Sequence, residues 1–147
     1  MEQQPLSRID NVDECGAGQC VPFSDLTGHT LVSVEGACKG SDAILLVALT
    51  GRWWIQYEPD CCASCDIDDI VGDLNDLIGH EILEAREDSS SNCSLDGEPN
   101  ADVYDSCTWT FYNIQTTRGH VQLRWFGSSN GYYSESTTLY RLTKDPR

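Results

Sequence analysis

The chain is 147 residues long, 39% apolar and 9% aromatic, and its 24 acidic against 9 basic side chains give a formal charge of -15. That length suits one domain able to bury a core without staples, and that charge argues against direct binding to nucleic acid, whose phosphates need clustered Lys and Arg. The longest apolar run, residues 43–49, falls short of the roughly 18 residues of a membrane-crossing helix, so no membrane contact is expected; the first thirty residues carry charges where a secretory signal would be apolar.

Residues 1–25 read as an N-terminal extension and residues 26–147 as a single β-rich domain. A strand is predicted over 30–35 and a second over 43–50. After a turn at Gly51 comes a third, in which Trp53, Ile55 and Tyr57 alternate at period two and face the core. A fourth is predicted over 66–71, closing this half. Residues 73–78 fit one short helical turn ended by Gly79. The same plan then recurs, with strands over 81–87 and 107–116, a turn at Gly119, a third strand with Val121, Leu123 and Trp125 inward, and a fourth over 133–142, where Ser and Thr favour strand.

The recurrence is visible in the residues themselves. Leu26, Gly28, His29 and Leu31 align with Leu77, Gly79, His80 and Ile82 at an offset of 51, and the stretch from Gly51 aligns with that from Gly119 at an offset of 68. The 17 extra residues have a home in 89–105, whose Ser, Asn, Asp and Gly content reads as an inserted surface loop. The expected fold class is α+β, mainly antiparallel β. It consists of two sequence-duplicated four-stranded units, 26–76 and 77–142, with internal pseudo-symmetry and at most one or two short helices. His29 and His80 hold equivalent places, which suits a structural role such as bonding a backbone carbonyl at a strand start.

Charge is polarised along the chain. Residues 60–105 hold fourteen acids and one base, Arg86, whereas residues 106–147 hold two acids and five bases. Apolar residues interleave with the acids, so the block reads as folded structure with a charged face, led by Asp66, Asp68, Asp69, Asp73, Asp76, Glu81 and Glu84. An ordinary solubility surface is the plain reading of such a face. The sharper one is a surface that meets a basic protein partner.

Later in the chain, Asn130-Gly131 is a tight-turn signal followed by Tyr132 and Tyr133, a pair suited to a binding loop. Trp109-Thr110-Phe111-Tyr112 and Arg124-Trp125-x-Gly127-x-Ser129-Asn130-Gly131-Tyr132-Tyr133-Ser134, preceded by Asp60-Cys61-Cys62 and Asp73-Leu74, resemble a family of small proteins of unknown function found in bacteriophages and prophages. The resemblance covers about residues 26 to 140. It implies a phage origin and supplies no catalytic residues.

Eight cysteines without a secretory signal are expected as thiols in a reducing cytoplasm. Cys15 and Cys20 with Cys62 and Cys65 offer the two short chelates of a structural zinc site, which would stabilise the N-terminal segment. Disulfides and unligated thiols remain alternatives. Asp66, Asp68, Asp69 and Asp73 lack the register of a calcium loop, because Ile70 and Val71 stand where it needs an oxygen ligand and glycine. No nucleophile elbow, phosphate-cradling glycine loop, dinucleotide fingerprint or His-Glu-x-x-His motif occurs, so the expectation is a noncatalytic protein without a cofactor.

The expected function is an acidic, phage-encoded inhibitor of a nucleic-acid-binding host defence system, of anti-CRISPR or anti-restriction type. It would work in the host cytoplasm by imitating the charge of DNA. One alternative is a virion component whose N-terminal extension lashes onto a neighbour, and homo-oligomerisation stays open. Another is a sponge for a small nucleotide signal, with Tyr132, Tyr133, Arg124 and Arg118 as its pocket.

Overall fold

A computed structural model describes residues 3–7, 18–57, 64–90, 106–129 and 137–142. It is mainly antiparallel β, with two short 3-10 turns and two sheets. The strands are β1 (Gly18–Val21), β2 (Leu31–Glu35), β3 (Ala43–Ala48), β4 (Gly51–Tyr57), β5 (Ser64–Val71), β6 (Ile82–Ser90), β7 (Ser106–Thr116), β8 (His120–Ser129) and β9 (Thr137–Leu142). The 3-10 turns are Phe23–Leu26 and Leu74–Asp76.

The sheets run β1-β9-β4-β3-β2 and β5-β8-β7-β6. Each is built on a meander of three consecutive strands, β2-β3-β4 or β6-β7-β8, as the period-two patterns predict. The fourth strands do not close their own halves. β5 leaves the first half to pair with β8, and β9 leaves the second to pair with β4. Each half therefore completes the other's sheet. The sequence pattern decides which side chains point inward; it carries nothing on which sheet receives them.

A near two-fold relation links the halves where their first strands meet. Gly28 N–H donates to the Ile82 carbonyl at 2.8 Å, and Gly79 N–H donates to the Leu31 carbonyl at 2.8 Å. These are the same bond under the offset of 51, and Thr30 bridges Glu81 between them. Gly28 and Gly79 have φ of +88° and +80°, a left-handed conformation that glycine adopts without steric cost. The two 3-10 turns obey the same offset, with Asp25 N–H bonded to Pro22 and Asp76 N–H to Asp73.

One core lies between the sheets. Trp53, Ile55, Ile44 and Leu46 from the five-stranded sheet meet Val121, Leu123, Trp125, Tyr112 and Ile114 from the four-stranded one, all fully enclosed. Burial of each such side chain stabilises by roughly 1.5–3 kcal/mol. The Tyr112 hydroxyl reaches the Thr137 hydroxyl of the opposite sheet, and the Phe23 and Tyr112 rings lie 4.4 Å apart.

The described part of residues 1–25 is built into this fold. β1 is the outer strand of the five-stranded sheet, and Phe23 is a core residue. Leu6 bridges Ala43 and packs on a second apolar cluster of Ala43, Leu45, Trp54, Tyr140 and Leu142, on the far side of the same sheet. The segment is pinned by Ser41, whose hydroxyl accepts from Leu6 N–H at 2.9 Å and donates to the Ala43 carbonyl at 2.8 Å. Gln3 adds bonds to Val34 and Ala37.

Candidate partner-binding surface

The outer face of the four-stranded sheet carries polar, charged and aromatic groups in rows set by strand register. One row reads Asp66, Phe126, Trp109 and Ser90 from β5 through β8 and β7 to β6; the next reads Asp69, Arg124, Phe111 and Asp88. Below them come Val71, Gln122, Asn113 and Arg86, then His120, Gln115 and Glu84. Carboxylates thus occupy both edges and aromatic rings the middle. Three strand intervals separate the edges, about 14 Å.

At the centre, the Arg124 guanidinium lies 5.5 Å from the Trp109 ring centre and 5.6 Å from that of Phe111. Residues two apart on a strand share a face, and the two rings lie parallel there, with centres 6.2 Å apart. Phe126 leans on Trp109 at 4.8 Å. A cation held over aromatic faces contributes about 0.5–2 kcal/mol, and it stiffens the platform. Across the next row, Gln122 donates to Asn113 at 3.0 Å, Asn113 donates to Asp88 at 3.1 Å, and Arg86 donates to Asp88 at 2.8 Å. Asp88 holds the Arg86 guanidinium in its charged form, pushing its pKa up, with Glu84 adding to the effect at 3.7 Å.

A cavity of about 210 Å³ opens beside this ladder, lined by Glu84, Arg86, Asn113, Gln115 and His120. Gln115 is fixed there because its amide nitrogen donates to the carbonyls of Thr116 and Gly119, 3.1 and 3.3 Å away in the β7–β8 turn. Its side-chain oxygen is left as an acceptor.

The seven carboxylates named from the sequence fall in three places. Asp66, Asp68 and Asp69 lie on β5, with Asp68 at a bulge in the pairing with β8 and Asp69 accepting from Ile70 N–H at 2.8 Å. Asp73, Asp76 and Glu81 lie on the connection from β5 to β6. There Asp73 caps the 3-10 turn through Asn75 N–H, and Asp76 pairs with Arg118 at 3.6 Å. Glu84 stands alone of the seven on β6. Asp88, which joins Glu84 on the outward rows, has no place among the seven. Burial, with Asp42 and Asp68 nearby, pushes the Asp66 carboxyl up, and Lys39 works the other way.

Asn130, Gly131, Tyr132 and Tyr133 lie outside the described residues, as do Cys15 and Cys62. Cys20 is an exposed free thiol on β1, and Cys65 belongs to β5, so these two sit on edge strands of different sheets. Among the described residues, no group of three or more His, Cys, Asp or Glu side chains is placed to hold a metal ion. Arg118 belongs to the β7–β8 turn and Arg124 to the interior of β8, so the two are not brought together. His29 binds the Thr50 hydroxyl at 2.7 Å, with its ring edge-on to Trp53 at 4.8 Å. Its side chain thus ties to the β3–β4 hairpin through a hydroxyl where a carbonyl was expected.

The fold and this face define an acidic antiparallel β-sandwich with one platform of mixed charge and aromatic character. The chain belongs to the family described as a domain of unknown function (DUF7448), whose model matches residues 24–139. That match begins inside the first 3-10 turn, so β1 and residues 3–7 lie before it. No curated protein and no solved structure matches the chain.

Proposed function

We propose that this chain is a phage-encoded, noncatalytic binding protein that acts in the host cytoplasm as an acidic inhibitor of a nucleic-acid-binding defence system, of anti-CRISPR or anti-restriction type. It meets its partner through the outer face of the four-stranded sheet. The observation that carries this reading is the arrangement of carboxylates on that face: Asp66 and Asp69 along one edge, Glu84 and Asp88 along the other. Their separation of about 14 Å is close to the roughly 12 Å width of the major groove between DNA phosphate strands. A basic channel shaped for a duplex would find two carboxylates at each edge on a rigid support, those on β6 sharing Arg86 between them. The overall charge of -15 adds long-range steering toward such a channel.

The virion reading drew on an N-terminal segment able to clasp a neighbour. Of that segment, residues 3–7 and β1 pack on their own sheet.

The test is capture from lysate of the phage host at low and at high salt, with mass spectrometry of what is retained. The reading expects a nuclease or another DNA- or RNA-binding defence protein, bound at low salt and largely released at high salt. Retention of proteins without basic channels, or binding indifferent to salt, contradicts it.

A further inference from the structure

We infer that the cavity bounded by Glu84, Arg86, Asn113, Gln115 and His120 receives the guanidinium of an arginine presented by the basic partner, an inference that rests on the reading of the surface above. Three observations converge on it. The first is the state of the cation already present. Arg86 lines the cavity, but its guanidinium is held at 2.8 Å by Asp88 and lies 3.7 Å from Glu84. The lining carries one carboxylate, Glu84, against one guanidinium, and Asp88, outside the lining, takes up the charge of Arg86, which leaves Glu84 to attract a second cation.

The second is the orientation of the amides. Both hydrogen-bond partners of the Gln115 nitrogen are backbone carbonyls, which can only accept, so its side-chain oxygen is the atom left to meet a ligand. Asn113 likewise spends its nitrogen on Asp88 and presents its oxygen to Gln122. The carbonyl oxygen of Gln115 and the carboxylate of Glu84 are both acceptors, and a ligand that matches them is a donor. The third is geometry. Glu84 and Gln115 are direct neighbours across β6 and β7, and both line the cavity. A guanidinium offers several N–H groups in a planar fork and spans two such acceptors, whereas an ammonium is a compact point charge.

On binding, the incoming guanidinium shares Glu84 with Arg86, while Asp88 keeps Arg86 in place. The cavity is thereby a specificity pocket within a wider charged surface. The edge carboxylates bring a basic partner close, and the cavity selects an arginine at one position.

The experiment titrates the full ¹⁵N-labelled chain with the amidated tripeptide Gly-Arg-Gly, and separately with Gly-Lys-Gly and Gly-Glu-Gly. NMR follows the side-chain amide of Gln115 and the imidazole of His120. Free tripeptides are expected to bind in the millimolar range, with saturable shifts confined to these groups. The lysine peptide should bind about tenfold more weakly, and Glu84→Gln should weaken the arginine peptide by about tenfold or more. Unchanged backbone resonances of Val121 and Leu123 report that the variant is folded. Equal shifts with the glutamate peptide, no localised shift with the arginine peptide, or no effect of Glu84→Gln would overturn the inference; equal lysine and arginine affinities would overturn the choice of guanidinium. Failure here is distinguishable from failure of the broader reading. A defence protein captured equally well by Glu84→Gln removes the pocket and leaves the surface. Arginine binding without such a capture leaves the pocket and removes the inhibitor.

Discussion

Apart from β1, the two sheets share one strand order and one inward pattern, yet their outer faces have opposite characters. On the five-stranded sheet, Ala43, Leu45, Trp54, Tyr140 and Leu142 are all buried, and residues 3–7 pack there through Leu6. On the four-stranded sheet, the corresponding face offers Arg124 over aromatic rings, an amide ladder and carboxylates at both edges. The difference teaches that the symmetric part of the molecule is scaffold. Glycine turns, 3-10 turns and inward triplets repeat because a core between two sheets needs them twice. The outward residues depart from the repeat, and function is sought where they depart.

The comparison is open to attack by substitution. Trp54→Ala should be the most damaging change, costing about 3–5 kcal/mol in denaturant unfolding, because Trp54 is 1% exposed on a face that acts as a second core. If Phe111→Ala, at the half-buried centre of the other outer face, cost as much, the contrast between a packed face and an open one would fail. Ser41→Ala should cost about 1–3 kcal/mol, since it removes a buried hydroxyl that the half-buried Leu6 N–H and the Ala43 carbonyl both use, and frees the segment that covers the apolar face. Gly28→Ala and Gly79→Ala should each cost about 1–2 kcal/mol through the left-handed backbone, since an added Cβ meets nothing at either position. Unequal costs would deny that the two positions are equivalent.

The smallest effect is expected at Asp66. Its carboxyl holds a proton in the folded chain over a range just above the ordinary carboxylate region, where the unfolded chain has already released it. Stability therefore falls as pH rises through that range. Asp66→Asn should stabilise the protein at pH 7 by less than about 1 kcal/mol, since solvent screens this half-exposed group, and the gain should disappear once the medium is acid enough to protonate the wild-type carboxyl. A gain that grew on acidification would reverse the sign of the argument.

Much of this fold was legible in the sequence. Trp53, Ile55, Val121, Leu123 and Trp125 declare inward faces by alternation, and the matched Gly-His pairs mark where the halves meet. The exchange of β5 and β9 was not legible, because Ile67 and Leu139 fit the common core from either sheet. β1 escaped notice because Gly18–Val21 is four residues long and has no apolar rhythm. At the candidate site, the acidic block was plain, but its division between the two edges of one sheet depends on register, which is a long-range property. The platform was hidden for another reason. In β7, Thr110, Tyr112, Ile114 and Thr116 are buried toward the core, while Trp109, itself buried, and the half-buried Phe111 point the other way, so the run reads as apolar on both sides. The available signal was the series Trp109, Phe111, Asn113 and Gln115, which is aromatic and then amide at every second position.

The central claim is that the outward carboxylates of the four-stranded sheet make the contact, and it is tested most directly by two variants matched in charge. One carries Asp66→Asn, Asp69→Asn, Glu84→Gln and Asp88→Asn; the other neutralises Glu35, Asp73, Asp76 and Glu81, which lie on β2 and on the β5–β6 connection. Binding of both to the defence protein captured by the wild-type chain is measured across a salt series. The account predicts that the first variant loses most of its affinity and much of its salt dependence, while the second stays close to wild type. Equal losses in both, or an unaltered first variant, would contradict it.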